Sequence, residues 1–451
     1  MPNPARILIV PVDQNVMTQN TTKYTSRLAA ILTLIGVAVG LGNVWRFPYM
    51  MGKYGGSAFF AVYLGFMLLF AVPALMAEIA LGREGGGGIL AAFRKALGDR
   101  AGSAVAVLLM TTLLVASSYY AVVVGNVIYT TAFSFLYGFS KESIPVYQAQ
   151  LSNGWLQYGT TLLLVSTALF VVYKGLKNGI ELVSKIVVPF FGLVIIYLIV
   201  NALLLPGAAS KLSEFLRPDF SLMTSEHIFA ALGQSFFSVG LGGTFMVAYG
   251  SYLNRGTSIP KMAVATSVGD LGASLLTSLF LVPTILVMGL DIASGPGLIF
   301  ATLPEMFSQM PMGRVVGSLF LTALSAIAFL SVVAAYEVIA GGVQGGLIKN
   351  ATRKQIVVAL GLSMAILALP TSHFPKLIGI LDLVLGSGMQ VFGSALAVLG
   401  ITWGLGRRKL LDQIFADEAA GFQTFTYYWL KWVVPFVLLS VLIGDIYSVI
   451  P

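Results

Sequence analysis

Long apolar runs alternate with short polar segments along the whole chain. Most of the runs reach about twenty residues or more, which is the length of an α-helix that crosses a hydrocarbon core of about 30 Å. Outer-membrane β-strands would instead show segments of about ten residues with strict alternation. The pattern predicts an all-α polytopic membrane protein with eleven helices, at about 27–50, 57–82, 103–137, 157–174, 180–205, 228–253, 261–290, 313–347, 355–370, 376–402 and 425–449.

The composition supports this prediction and excludes most enzyme chemistry. Hydrophobic residues make up 57% of the 451 residues and charged residues only 10%. A soluble protein of this length would need more polar surface. The absence of cysteine excludes disulfides, thiolate metal sites and cysteine nucleophiles, and two histidines leave little room for a histidine metal centre. We therefore expect no enzyme and no catalytic residues.

The formal net charge of +8 is interpreted as a topological signal, so we expect no nucleic-acid partner. When the loops are assigned to alternating sides, 18 of the 26 lysines and arginines fall on one side, and the other 8 include Lys431. By the positive-inside rule the richer side is cytoplasmic. This predicts a multi-pass protein of the cell (inner) membrane, with the amino terminus in the cytoplasm and the carboxyl terminus outside.

The predicted helices form two sets of five and one extra helix. We predict a cytoplasmic tail at 1–26, a first repeat at 27–205, an outer loop at 206–227, a second repeat at 228–402, and a cytoplasmic loop with the eleventh helix at 403–451. The longest apolar run of the tail, Ile7–Val10, is too short for a signal peptide. Two outer segments, 206–226 and 291–312, are rich in Pro, Gly and Ser and are expected to pack as short helices.

The first and sixth helices carry matching glycine interruptions. Val-Gly-Leu-Gly occurs at Val39–Gly42 and again, 200 residues later, at Val239–Gly242. Each copy lies in the first helix of a set of five, and because five is odd the second set enters the membrane from the opposite side. Unwound backbone at mid-membrane is tolerated only where it lines a site. We interpret the pair as a transporter binding site in an inverted repeat, with close helix packing at glycine as the alternative.

Polar side chains lie next to both interruptions. A broken helix offers carbonyl oxygens to a cation and N–H groups to a carboxylate. Asn43 follows the first break and Ser238 precedes the second, so both can add side-chain oxygens. Asp270 lies in the apolar seventh helix, where an ionised carboxylate needs a cation. Ser325 in the eighth helix is a further candidate ligand, although a lone membrane serine commonly bonds its own helix backbone.

The segment from Arg27 to Pro48, followed by Gly55–Phe59, closely resembles the first-helix signature of the neurotransmitter:sodium symporters, especially their bacterial amino-acid transporters. The resemblance covers about 27–402 and continues through Tyr119–Tyr120, Gly179–Glu181, Lys185, Pro189 and Gly233–Ser238. The family usually has twelve helices, whereas this chain has eleven, as some bacterial members do. The resemblance implies a 5+5 inverted-repeat fold plus one extra helix, with helices 1 and 6 unwound at mid-membrane. It also implies sodium-coupled import of an α-amino acid by alternating access.

The resemblance further implies two sodium (Na⁺) sites beside the amino acid. The first would use the Ala38 carbonyl and the side chains of Asn43, Ser238 and Asp270, together with the substrate carboxylate. The second would use the carbonyls of Gly36, Val39 and Leu321 and the hydroxyl of Ser325. Leu324 departs from the family pattern, which often has a hydroxyl or carboxylate there, so we hypothesise that water or Ser325 completes the second site.

Asp270 replaces the asparagine that is more usual in the family. Chloride-dependent relatives hold the anion near positions that correspond to Tyr63, Gln234, Ser238 and Ser274. Here a carboxylate is already supplied within about one helical turn of Ser274. We therefore expect transport to be independent of chloride.

Gly40 stands where monoamine carriers of the family have an aspartate, which implies an α-amino acid as substrate. Its carboxylate would contact the first sodium ion and Tyr120. Aromatic faces beside small residues favour a bulky hydrophobic or aromatic side chain. The substrate-binding residues implied in this way are Ala38, Gly40, Gly42, Ala116, Tyr120, Phe237, Ser238, Gly240, Gly243 and Phe329.

The family pattern also implies two gates. Phe237 over Tyr120, with Arg46 facing Asp382, would close the outer side; ordinary interfacial anchoring of the two charges is the alternative. Gly179 and Pro189 in the fifth helix would let that helix loosen on the inner side, and a simple proline kink is the alternative.

An inner latch could involve Lys23, Tyr24 and Arg27, with Glu337 as the hypothesised acidic partner. The expected partners of the whole protein are the amino acid and the lipid bilayer, and we expect a monomer or weak dimer. A proton-coupled carrier or uniporter of the same fold is the second function considered. A nutrient sensor or membrane enzyme is the third, and the enzyme lacks any recognisable pair of nucleophile and base.

Overall fold

The computed structural model describes residues 23–295, 297–348, 351–415 and 420–447. These residues form helices and connecting loops, and no strand occurs among them. The predicted all-α class is therefore confirmed. The predicted tail at 1–26 lies outside the described residues up to residue 22.

The first half of the chain contains nine α-helices within the described residues. They are α1 (Arg27–Ala38), α2 (Phe47–Lys53), α3 (Ser57–Phe66), α4 (Val72–Gly85), α5 (Gly88–Leu97), α6 (Asp99–Leu136), α7 (Ser143–Leu151), α8 (Gly154–Gly175) and α9 (Glu181–Leu203). Three π-helical turns, Gly42–Arg46, Met67–Ala71 and Leu176–Ile180, connect neighbouring pieces.

The second half contains twelve α-helices in its described part. They are α10 (Ala208–Phe215), α11 (Ser225–Ser238), α12 (Phe245–Gly250), α13 (Ile259–Val287), α14 (Leu303–Gln309), α15 (Gly313–Gly342), α16 (Arg353–His373), α17 (Lys376–Leu381), α18 (Met389–Leu399), α19 (Gly406–Ile414), α20 (Ala420–Tyr428) and α21 (Val434–Tyr447). The π-helical turns Asp382–Gly388 and Trp429–Val433 join α17 to α18 and α20 to α21.

Eight helical runs in the described residues are long and apolar enough to cross a membrane, and the bent pair at Arg27–Lys53 makes a ninth. One of the eight, Gly154–Leu203, contains two predicted helices, because Gly175 has φ 80° and ψ −174° and interrupts it. The sixth predicted helix consists of α11 and α12, which are each too short to cross alone. Each of the eleven predicted helices thus has a counterpart in the structure.

Both predicted interruptions are present. The first helix ends at Ala38, where Val39 turns to ψ 126°, and the chain resumes after a bend of 61°. The sixth is open from Val239 to Thr244, and Gly240 and Gly243 have φ values of 68° and 66°. L-residues with a side chain rarely adopt this left-handed conformation, so glycine is required at both positions.

The broken first helix lies inside the bundle. Helix α1 packs against α9, α13 and α15, while α15 packs along the length of α6. Neighbouring helices can approach each other closely because small residues face the backbone of the next helix. At Gly125, for example, a Cβ atom would lie only 3.1 Å from the backbone nitrogen of Thr161. The break in α1 is thereby surrounded by protein at the depth where its freed backbone groups need partners.

Two expectations about the periphery can be compared with the structure. The outer segments 206–226 and 291–312 do contain short helices, α10 and α14, as predicted. The prediction that Lys431 lies on the side with fewer lysines and arginines is wrong. Its ammonium lies 5.5 Å from the Tyr427 ring and the Arg407 guanidinium lies 5.8 Å from the same ring, so Lys431 is at the same end of the fold as Arg407. This increases the charge asymmetry between the two ends.

Candidate functional site

Asp270 is the centre of a buried oxygen cluster formed by three separate elements. Its carboxylate, which is fully buried in α13, accepts a hydrogen bond from the Asn43 amide at 2.6 Å and one from the Ser238 hydroxyl at 2.5 Å. Asn43 follows the break in the first helix, and Ser238 ends α11 at the break in the sixth. The structure thus brings together the three side chains predicted for the first sodium site.

Asn43 also holds the break in the first helix open. Its amide oxygen accepts a hydrogen bond from the Gly40 N–H at 2.8 Å, and its amide nitrogen lies 2.9 Å from the Ser274 hydroxyl. The cluster offers a carboxylate, an amide and hydroxyls, which are oxygen ligands suited to a hard cation. The described residues contain no group of three or more His, Cys, Asp or Glu side chains around a common point. Asp270 is the one carboxylate of this cluster, and the single positive charge of a monovalent cation would balance it.

Some of the positions that the family resemblance implies for chloride lie near this carboxylate, since Ser238 bonds it and Ser274 bonds its partner Asn43. Tyr63 and Gln234 are buried, and the Tyr63 ring interacts electrostatically with Asp270. The Gln234 amide has no hydrogen-bond partner among the described residues. Asp270 therefore places a carboxylate beside Tyr63 and Ser238.

A cavity of about 150 Å³ lies beside this cluster. An engineered cavity of about 150 Å³ in another protein holds a benzene molecule, so the volume suits a bulky apolar group. Eight of the ten residues predicted to bind substrate line the cavity: Ala38, Gly40, Gly42, Ala116, Tyr120, Phe237, Ser238 and Gly240.

Two glycines of the first break are required by close contacts at this cavity. A Cβ atom on Gly40 would lie 2.9 Å from the Ser331 hydroxyl oxygen and 3.2 Å from that of Tyr120. A Cβ atom on Gly42 would lie 2.9 Å from the Phe237 ring. Any larger residue at either position would have to push these side chains aside, so the backbone itself forms this wall.

Two predicted cavity residues are corrected by the structure. Gly243 does not line the cavity, because its N–H donates to Glu78 at 3.0 Å on the other side of the broken sixth helix. Phe329 also lies outside the lining. Helix α15 faces the cavity with Ser331 and Ala335 instead, and a residue two positions before Ser331 points about 200° away around a helix of 3.6 residues per turn.

The structure also corrects the residues of α15 that were predicted for the second sodium site. The Leu321 carbonyl and the Ser325 hydroxyl both bond Thr131 of α6, at 3.1 and 2.8 Å. The Val39 carbonyl instead accepts a hydrogen bond from Ser331 at 3.2 Å. Ser331 lies six residues after Ser325, about 9 Å further along the helix at 1.5 Å per residue. Leu321 and Ser325 are therefore too far from Val39 to share an ion with it.

Phe237 and Arg46 cover the end of the cavity that is predicted to face outward. The Arg46 guanidinium lies over the Phe237 ring, 4.1 Å from its centroid, and its charge acts on the Asp382 carboxyl. Asp382 also accepts a hydrogen bond from Tyr119 at 3.2 Å. Above them is an outer cavity of about 400 Å³, lined in part by Arg46, Phe237 and Gln390. The predicted outer-gate residues thus lie between two cavities.

At the end of the fold predicted to face the cytoplasm, the segment before α1 bonds the end of the sixth helix. The Lys23 ammonium donates to the backbone carbonyls of Ser251 and Leu253, at 2.7 and 3.1 Å. Burial lowers the pKa of Lys23, and the positive charges of Arg83 and Arg255 lower it further. These bonds fix the start of the first helix against the end of the sixth.

Glu181, and not the hypothesised Glu337, is the acidic partner of this segment. The carboxylate of Glu181 accepts hydrogen bonds from the Thr25 N–H at 3.0 Å and from the Thr25 hydroxyl at 2.5 Å. Glu337 is engaged elsewhere, by Arg353 at 2.5 Å and by the Tyr252 hydroxyl at 3.0 Å. Both acids are buried.

The predicted inner-gate residues lie in and before α9. Gly179 belongs to the π-helical turn Leu176–Ile180, and the position of a Cβ there is already occupied by the Val171 carbonyl. Pro189 lies within the helix. Proline cannot donate to the carbonyl of Lys185 four residues earlier, so this turn of α9 lacks one backbone hydrogen bond.

Glu78 bonds the break in the sixth helix, a contact that the sequence reasoning did not predict. It is fully buried in α4, and one carboxylate oxygen accepts the N–H groups of Gly242 and Gly243, both at 3.0 Å. These are backbone donors left free by the break in the sixth helix. The available signal was an isolated acid in an apolar helix, which commonly marks a functional position.

Comparisons with known proteins agree with this geometry. Residues 21–150 and 139–451 match the model of the sodium:neurotransmitter symporter family. The uncharacterized sodium-dependent transporter YhdH of Bacillus subtilis is 29% identical, over 94% of this chain and 98% of its own length. The sodium-dependent dopamine transporter of Bos taurus is 25% identical, over 97% of this chain and 71% of its own length. The crystal structure of MhsT in complex with L-phenylalanine is similar with a TM-score of 0.84 and 28% identity, over 94% of this chain and 99% of that one.

Proposed function

Because this chain belongs to the sodium:neurotransmitter symporter family, we propose that it imports an α-amino acid with a bulky hydrophobic or aromatic side chain. As a sodium-dependent symporter of that family it uses the sodium gradient across the membrane. Transport would follow alternating access, with the outer gate at Arg46 and Asp382 and the inner gate at Gly179 and Pro189. The amino terminus would lie in the cytoplasm.

The observation that carries the proposal is the oxygen cluster beside the central cavity. Asn43 and Ser238 both line the cavity and both bond the Asp270 carboxylate. A cation bound by Ala38, Asn43, Ser238 and Asp270 would therefore face the bound substrate directly. The substrate carboxylate would then complete the shell of the ion, so each ligand would bind better when the other is present, and by the same factor.

The substrate class follows from the shape and polarity of the cavity. Gly40 supplies no acid at the wall position where monoamine carriers of the family have an aspartate, and the Tyr120 hydroxyl lines the cavity where it can meet a carboxylate. Phe237 supplies an aromatic face, and the volume of about 150 Å³ suits a ring. The relative MhsT, solved with L-phenylalanine, supports an aromatic amino acid.

A second sodium ion would bind further toward the inner end. The carbonyls of Gly36 and Val39 keep the roles predicted for them, while Ser331 replaces Ser325 because it already contacts the Val39 carbonyl. Each sodium ion that enters across 100 mV contributes about 2.3 kcal/mol, before its concentration gradient is counted. Two ions would allow strong accumulation, and the built-in carboxylate of Asp270 would make chloride unnecessary.

Reconstitution into liposomes with an imposed inward sodium gradient tests the proposal. Uptake would be measured for a panel of labelled amino acids, with choline replacing sodium and gluconate replacing chloride in parallel. We expect uptake of an aromatic or large aliphatic amino acid that stops in choline and continues in gluconate. Equal uptake in choline, or uptake driven by a proton gradient alone, would contradict sodium coupling.

A further inference from the structure

Ser184 of α9 is a buried hydroxyl that its own helix does not use. Its side chain is 2% exposed, and no hydrogen bond engages it in the described part of the chain. Some buried hydroxyls of α13 donate to the carbonyl four residues earlier, as Thr266 and Ser278 do at 2.9 and 2.8 Å, whereas Ser267 and Thr277 of the same helix have no partner among the described residues. The Ser184 oxygen is not one of the fully enclosed side-chain atoms that lack a partner, so it keeps some accessible surface. Such a hydroxyl has lone pairs that a ligand can use.

The Ser184 hydroxyl faces Gly36 at the end of α1. Its oxygen lies 3.7 Å from the position that a Cβ atom on Gly36 would take, and Val188 of the same helix face lies 3.4 Å from that position. The last carbonyls of a helix lack backbone partners and carry its partial negative charge. The Ser184 side chain therefore lies beside the last turn of α1, which carries these carbonyls.

The Gly36 carbonyl has lost its usual donor for a visible reason. In a continuous helix it would accept the N–H of Gly40, four residues later. That N–H instead bonds the amide oxygen of Asn43 at 2.8 Å. Val39 directly follows α1 as its C-cap residue, and its carbonyl accepts a hydrogen bond from the Ser331 hydroxyl at 3.2 Å. The Gly36 and Val39 carbonyls and the Ser184 hydroxyl thus all lie in or beside the last turn of α1.

Beside the end of α1, helix α15 presents an apolar side chain at position 330 and not a side-chain oxygen. Leu330 directly precedes Ser331, and its Cδ1 atom lies 2.9 Å from the Cβ position of Gly36. An isobutyl side chain cannot ligate a cation. A sodium ion at this point therefore lacks a side-chain ligand that a hydroxyl at position 330 would have supplied.

We propose that the Ser184 hydroxyl is a ligand of the second sodium ion, and that it replaces the oxygen that Leu330 does not offer. This inference rests on the proposed function. It also gives α9 a direct link to the ion. Since Glu181 of the same helix holds Thr25, sodium at this site would tie α9 to both ends of α1 and keep the inner side closed.

Sodium binding to the purified transporter, without transport, tests the assignment. Binding is measured as ²²Na⁺ bound and as sodium-dependent thermal stabilisation in detergent. For Ser184→Ala we expect the apparent sodium affinity to fall about tenfold, which corresponds to about 1.4 kcal/mol. The Hill coefficient should move from about 2 toward about 1. Ser184→Thr should keep the wild-type values.

Two further variants separate ligation from a folding defect. Leu330→Thr places a hydroxyl on the opposite side of the same point, so it should raise sodium affinity and should restore it in the Ser184→Ala background. Ser166→Ala is the matched control, because that exposed serine bonds only its own helix, at 2.7 Å to the Leu162 carbonyl. Its sodium binding should be unchanged.

The outcomes distinguish this inference from the proposed function. Wild-type sodium binding in Ser184→Ala, with no response to Leu330→Thr, would overturn the role of Ser184 and leave sodium coupling intact. Loss of folding in Ser184→Ala leaves Leu330→Thr as the deciding variant. Absence of any sodium response in the wild-type protein would overturn both.

Discussion

Replacing Asp270 by asparagine removes the only negative charge of the central oxygen cluster while keeping its shape. In the structure the carboxylate lies 2.5 Å from the Ser238 hydroxyl oxygen and 2.6 Å from the Asn43 amide nitrogen. The amide of the variant can still bond both neighbours. A change in ion dependence would therefore report the charge and not a collapsed site.

The expected effect can be worked from these distances. An ion held by Asn43 and Ser238 lies within about 4 Å of the Asp270 charge, where two opposite unit charges attract by about 4 kcal/mol at an effective dielectric constant of about 20. At about 1.4 kcal/mol for each factor of ten, loss of the charge lowers sodium affinity by about a thousandfold. An anion that enters the space between Tyr63, Gln234 and Ser274 would restore much of this attraction.

The assay is uptake into proteoliposomes over a sodium titration, with chloride or gluconate as the anion. Asp270→Asn should be inactive in gluconate and regain sodium-dependent uptake in chloride, while the wild type should not respond to chloride. Asp219→Asn is the matched control, because Asp219 is exposed and bonds only Ser221. Full activity of Asp270→Asn in gluconate would refute the charge-balance reasoning.

Three further variants test the cavity wall, the sixth-helix break and the inner latch. Gly42→Ala should raise the KM for a bulky substrate several-fold in labelled uptake, because the new methyl group would lie 2.9 Å from the Phe237 ring. Glu78→Ala should lower thermal stability in detergent more than Glu78→Gln does, because each buried N–H that loses its acceptor costs about 1–3 kcal/mol. Thr25→Val should increase access from the inner side, because Glu181 loses a hydrogen bond of 2.5 Å. The chain has no cysteine, so thiol labelling of one cysteine placed in the central cavity measures that access.

Each of these variants has a control within the chain. Gly192→Ala adds a methyl group that meets nothing within 4 Å and should leave KM unchanged. Glu214→Ala removes an exposed carboxylate and should leave stability unchanged. Thr167→Val removes a hydroxyl that bonds only its own helix and should not alter labelling. Equal effects in variant and control would contradict the corresponding reasoning.

The two helix breaks could be predicted because their causes are local. Gly240 and Gly243 adopt positive φ angles that other residues avoid, and Gly40 and Gly42 leave space for Tyr120 and Phe237. Local composition also marked the membrane helices, since an apolar run of the right length has few alternatives. These features needed no knowledge of which helices touch.

The wrong choice of Ser325 in the eighth helix shows what local sequence patterns cannot predict. Ser325 and Ser331 lie in the same apolar helix, and only contact with the broken first helix distinguishes them. A physical clue was present in the spacing. Ser331 and Ala335 are small residues four positions apart and form one face that allows a close approach, whereas the same spacing from Ser325 reaches the bulky Phe329. The partners of Glu78 were beyond prediction because they lie 164 and 165 residues away.

Asn43 connects the two proposed ion sites through one hydrogen bond. Its amide oxygen accepts the Gly40 N–H that would otherwise bond the Gly36 carbonyl. An ion that draws this amide oxygen into its shell at the first site competes with that bond and frees the Gly40 N–H for a substrate carboxylate or for Gly36. Because Gly36 is a proposed ligand of the second ion, occupancy of one site changes the oxygen offered at the other, and linkage makes the effect reciprocal. Coupling of both ions to the substrate can thus operate within the break itself, before either gate moves.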